Sequence, residues 1–196
     1  MAMAPAGRVF LSISRTLHIY LTMLVALLLL FFGSTGFMLN HAEWFGLETI
    51  VTSTKEGTVP KSALMPLDKL AVVEWLRAEM GVMGAMDSFD ADAETIRIVF
   101  KRPGSRAEAN IKVADGHVEV GTEQRGTAAL LTDLHKGASS GAGWKWVIDG
   151  TAVLLVLGSL TGLILWISLP RRRVLGIVAL IAGVAASLST YFFLVP

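Results

Sequence analysis

Apolar positions fall into three long runs, separated by one long polar stretch and one very short one. Leu17 to Leu39, built around Leu27-Leu28-Leu29-Leu30-Phe31-Phe32, is the first. Trp146 to Leu169 is the second and Val174 to Val195 the third. Each meets the length needed to cross a bilayer, roughly 20 residues at about 1.5 Å apiece. A helix of a soluble core would be shorter. The pattern therefore predicts a flank over 1–16, membrane helices over 17–39, 146–169 and 174–195, a polar domain over 40–143, and a tight turn over 170–173.

The polar stretch is patterned too well to be a linker. Pro66 to Met80 has the helical period, with a proline acceptable in the first turn and Gly81 at the end. It places Leu67, Leu70, Val73, Trp75 or Leu76, and Met80 on a core stripe. Thr95 to Phe100 then alternates, with Ile96, Ile98 and Phe100 on one face. Arg102-Pro103-Gly104-Ser105 is turn chemistry, Ala107 to Val113 alternates again, and Asp115-Gly116 signals a hairpin back through His117 to Val120. The expectation is one helix followed by an antiparallel meander, a small α+β unit with a thin core.

Composition agrees with a membrane protein: of 196 residues, 53% are hydrophobic. None is cysteine, which removes disulfides, thiolate metal sites, iron–sulfur clusters and covalent Cys-x-x-Cys-His haem. The net charge of +1 argues against a nucleic-acid partner. The charges are unevenly spread. Arg8 and Arg15 precede the first run and Arg171-Arg172-Arg173 fill the turn, without an acid beside either group. Residues 41–143, by contrast, hold 15 acidic against 11 basic residues. The excess of basic residues in the short flanks predicts an N-in/C-out bundle, with the polar domain outside. Asn40-His41-Ala42-Glu43 is no small-x-small cleavage site, so the first run reads as an uncleaved anchor.

The membrane runs also carry small and polar residues. Arg15, His18, Thr22, Leu29, Gly33, Gly36 and Asn40 fall within one arc of a helical wheel, a face expected to pack on protein rather than lipid. Gly158 and Gly162 have GxxxG spacing, and Ala179, Gly183 and Ser187 follow at four-residue steps. Three such stripes predict a packed bundle, with the lipid bilayer as solvent and a homo-oligomer as partner.

No hydrolase motif, P-loop or zincin motif is present. Broken helices and repeats of the transporter kind are absent from the pattern as well. Histidine is the remaining candidate chemistry. His18 lies one turn into the first run and His41 just past its end, about 34 Å apart by helical rise. His135 precedes the second run, near the same border as His41. His117 sits beside the hairpin turn. In one reading His41 and His135 converge as axial ligands of a non-covalent b-type haem, and His18 belongs to an inner site needing a second subunit for its partner. In the other, the border histidines sit at the headgroups beside Trp44, Trp144 and Trp146 and bind nothing. The sequence alone does not choose.

Several motifs carry a resemblance. Arg15-Thr16-Leu17-His18, Ser34-Thr35-Gly36-Phe37, Leu134-His135-Lys136-Gly137, Trp144-Lys145-Trp146-Val147-Ile148-Asp149 and Leu160-Thr161-Gly162-Leu163-Ile164-Leu165-Trp166 together resemble the PepSY-associated transmembrane family. The likeness spans about 15–40 and 130–173; the polar domain resembles PepSY through its helix-then-meander order. The resemblance implies a multi-pass protein of the bacterial inner membrane with a periplasmic PepSY-like domain between helices 1 and 2. Larger relatives include haem-bearing reductases that pass electrons to ferric siderophores through histidines on membrane helices. By that likeness His18, His41 and His135 are the cofactor positions, and the implied function is a redox subunit serving iron, a siderophore or a flavoprotein, with another membrane redox subunit as an implied partner. The alternative is a non-enzymatic PepSY-like module that binds or regulates a periplasmic partner.

Overall fold

The computed structural model describes residues 5–196. Three of its helices are long and apolar enough to cross a membrane. They are α1 (Pro5–Asn40), α5 (Gly141–Ile167) and α6 (Arg173–Leu194). Helix α1 is already formed at Pro5, the first described residue, well before the apolar run begins at Leu17. Lipid dictates where apolar character must run, not where backbone hydrogen bonding stops.

The chain forms two compact units, one of residues up to Leu29 with Asp149–Pro196, the other Leu30–Ile148. In the first, Ser14, Val25, Thr151 and Gly158 are the buried positions of α1 and α5. This corrects the expected stripe on α1: Arg15 and Leu29 are exposed, while His18 and Thr22 are half-buried. Leucine facing lipid carries no penalty, so its place on a wheel is a poor guide to which face packs. Apart from Gly176, α6 is exposed along its whole length, including the small residues Ala179, Gly183 and Ser187.

The second unit contains a five-stranded antiparallel sheet in the order β1-β5-β4-β3-β2. Its strands are β1 (Val51–Thr58), β2 (Ala85–Ala91), β3 (Thr95–Arg102), β4 (Ser105–Lys112) and β5 (His117–Gln124). The register sets Ile98 opposite Ala109, and Ala109 opposite Val120, on one face. That face is covered by α2 (Lys61–Leu64) and α3 (Lys69–Met80). Leu76, Ile98, Phe100 and Val118 are fully buried there. Each such side chain contributes about 1.5–3 kcal/mol on transfer out of water.

Helix α3 starts at Lys69, not at Pro66. Asp68 is its N-cap, accepting the Ala71 N–H at 3.0 Å, and Gly81 closes it in the left-handed conformation. Leu67 and Leu70 consequently stay exposed, and Val72, Val73, Leu76 and Met80 form the core stripe. Helix α4 (Gly126–Lys136) is fastened to the β3–β4 turn by a buried carboxylate. Asp133 accepts the Gly104 N–H at 2.9 Å and an Arg125 N–H at 2.5 Å, while Arg125 returns its backbone N–H to Gly104 O.

Candidate functional site

The end of α4 delivers His135 onto the last turns of α1. Its Nδ1 lies 2.7 Å from Thr35 Oγ1, and Thr35 Oγ1 is 2.6 Å from the Phe31 carbonyl one turn earlier. Phe32 packs edge-on against the imidazole at 5.3 Å. A Cβ at Gly36 would stand 3.4 Å from His135 Cε1, an ordinary contact distance, so the ring lies close along α1 there. Gly137, left-handed at the α4 C-cap, turns the chain toward α5, and Trp144 Nε1–H donates to Leu134 O at 2.7 Å. The sequence from Leu134 to Trp144 thus holds His135 from behind.

The same construction occurs in the other unit with different residues. His18 Nδ1 lies 3.0 Å from the Gly158 carbonyl and 3.1 Å from Thr161 Oγ1 on α5. Thr161 Oγ1 is 2.9 Å from the Leu157 and Gly158 carbonyls. A Cβ at Gly162 would stand 3.0 Å from His18 Cε1, tight enough that the ring would have to give way. Of the GxxxG pair on α5, Gly162 makes room for the imidazole, while Gly158 offers its carbonyl and faces Thr22.

Hydrogen-bond logic assigns the tautomer in both places. A carbonyl only accepts, so His18 Nδ1 carries the proton it shares with Gly158 O. Thr35 must give its own proton to Phe31 O to sustain a 2.6 Å contact, which leaves its oxygen to accept from His135 Nδ1–H. Each ring is thus fixed by Nδ1–H on a Thr-Gly dipeptide, and among the described residues nothing hydrogen-bonds either Nε2. An imidazole oriented through one nitrogen with the other lone pair available is the arrangement that supports metal ligation.

His41 is placed differently. It follows the last turn of α1, where its ring stacks on Trp44 at 4.1 Å and 11° and meets Phe37 at 4.4 Å. Six residues beyond Thr35, it lies about 120° around the helix from the His135 seat. The structure does not bring His41 and His135 into ring contact. Among the described residues no group of three or more His, Asp or Glu side chains is arranged to hold a metal ion. His117 opens β5.

The outward sheet face is polar. A depression of about 210 Å³ lies over Gly121, walled by Thr52, Arg106, Glu108, Asn110, Glu119 and Glu123. The Arg97 guanidinium, hydrogen-bonded at 2.7 Å, holds the Glu108 carboxyl below its ordinary range, and Arg106 adds its charge.

Thr35, Gly36, Thr161 and Gly162 are site residues that a histidine count misses. The recurrence of Thr-Gly in two apolar segments is the signal that would have found them, because a hydroxyl and an absent side chain in lipid both call for a protein partner. No curated protein and no solved structure matches the chain. The family model described as PepSY_TM-like matches residues 12–196, taking in both Thr-Gly seats, the sheet and α6. The chain is a membrane protein belonging to the PepSY_TM-like family.

Proposed function

We propose that this protein is a haem-bearing subunit of a bacterial inner-membrane electron-transfer system, with its N-terminus inside, its sheet domain in the periplasm, and His18 and His135 as iron ligands. The observation that carries this reading is the shared seat: both imidazoles are held by Nδ1–H with Nε2 left available. Bound haem would supply a one-electron ferric/ferrous couple. Thr35 and Thr161 orient the rings, and Gly36 and Gly162 let them lie close to the helices. A b-type haem held by two imidazoles would need a second histidine, from another copy, from another membrane subunit, or from His41. The acceptor is then periplasmic, either ferric iron, its siderophore complex or a flavoprotein.

The test is a reduced-minus-oxidised spectrum of protein purified from haem-replete cells in mild detergent. We expect an α-band at near-stoichiometric haem, lost in His135→Ala and His18→Ala variants that remain monodisperse. Loss in His41→Ala as well would assign the second ligand within the chain. A colourless, folded protein in every preparation overturns the proposal. It would select a second reading, favoured by the polar depression over Gly121: a PepSY-like module that binds or regulates a periplasmic partner through the sheet.

A further inference from the structure

The hairpin between α5 and α6 joins two features that neither the histidine seats nor the sheet explain. The first is an apolar cleft of about 370 Å³ lined by Ser159, Gly162, Leu163, Trp166, Gly176 and Leu180. It closes at the hairpin end, where the Trp166 indole lies so near Gly176 that any side chain there would collide with it. Farther along, α6 leaves α5, and a Cβ at Gly183 would meet nothing within 4 Å. The second feature is charge. Arg171, Arg172 and Arg173 follow one another, and no acidic residue occurs from Gly150 to Pro196. Among the described residues none of the three pairs with a carboxylate. Arg173 is tied down, its Nε–H donating to Ile167 O at 2.6 Å, and Trp166 Nε1–H reaches Arg172 O at 3.3 Å. Arg171 and Arg172 are exposed.

We infer that this corner is a binding site for an anionic phospholipid. Arg171 and Arg172 take the phosphate, and one acyl chain lies in the cleft past Trp166. Charge complementarity selects this occupant over a second copy of the chain, which would bring its own three arginines and no acid to the same corner. The same complementarity excludes a zwitterionic lipid as an equal ligand, since its headgroup returns a positive charge to the arginines. Trp166 and Arg173, each bonded to a backbone carbonyl across the turn, set the mouth of the cleft before any lipid enters.

The experiment measures thermal unfolding of the full chain in neutral detergent with added phosphatidylglycerol, phosphatidylcholine of the same acyl chains, or inorganic phosphate. Phosphatidylglycerol is expected to raise the midpoint by several degrees, and the other two to leave it unchanged. The Arg171→Gln/Arg172→Gln pair should weaken phosphatidylglycerol binding about tenfold or more, and the Arg171→Lys/Arg172→Lys pair should retain most of it. Ser159→Phe, which fills the cleft, should abolish the shift in a protein whose circular dichroism matches the parent. Equal shifts with both lipids, a shift with phosphate alone, or a shift surviving both the Gln pair and Ser159→Phe overturns the proposal. So does a lipid-independent dimer that Ser159→Phe dissociates, since a second copy would then be the occupant.

Discussion

At the scale of single residues, the two glycines under the imidazoles make unequal demands. Alanine is a better helix former than glycine by about 1 kcal/mol, so each Gly→Ala change begins with a gain. At Gly36 the new methyl would make an ordinary contact with His135, 3.4 Å from Cε1. At Gly162 it would stand 3.0 Å from the His18 ring, which is held by two acceptors and has nowhere to retreat without losing them. Overpacking of this kind costs about 1–3 kcal/mol, more than the helix gain. Thermal melts in detergent should therefore show Gly162→Ala below the parent and Gly36→Ala at or above it. Equal melting temperatures would mean the His18 seat is not a stabilising contact. These seats were hidden in the sequence because each joins residues 100 or more positions apart, Thr35 to His135 and His18 to Thr161. The histidines were legible one by one; what holds them was not.

At the scale of elements, the sheet turns are pinned by carboxylates that must stay ionised. Asp92 accepts the Glu94 and Thr95 N–H groups at 2.8 and 2.6 Å, and these backbone bonds, Thr95's first, hold its carboxyl below the ordinary range. Asp115 is lowered by the His117 N–H, and Glu108 by Arg97. A carboxylate with a lowered folded pKa contributes stability that is present above its unfolded value, about 4, and is lost as pH falls through the folded value. The urea midpoint of the sheet unit should accordingly hold steady from pH 7 to 5 and drop below pH 4. Asp92→Asn should flatten that acid limb, and an unchanged slope would deny the turn this role. The sequence disclosed β3, β4 and β5 because their inward residues alternate and Pro103-Gly104 and Asp115-Gly116 mark the turns. Strand β1 was not legible: it is an edge strand, exposed along nearly all of Val51–Thr58, so no apolar period marks it. Strand β2 is interrupted by a register shift between Met86 and Ser88, which erases its alternation. Helix α4 offers only Ala129, Thr132 and Asp133 to the interior, and two of those three are polar.

At the scale of the whole molecule, the three spans were the plainest message of the chain, because length and hydropathy suffice to identify them. Orientation rests on the proposed positive-inside assignment. A reporter fused after residue 100 should be active only on the periplasmic side, and a cytoplasmic signal there would invert the topology and move His135 to the opposite border. The two histidine seats also restrict which form of each ring can occupy them. Each threonine spends its only proton on its own helix, so the seat accepts from a protonated Nδ1 and from nothing else. Moving the proton from Nδ1 to Nε2 would set two acceptors against each other. The seat therefore rejects the other neutral form of the ring. An imidazole held in this way can accept a ligand only through Nε2, the nitrogen that no described residue hydrogen-bonds.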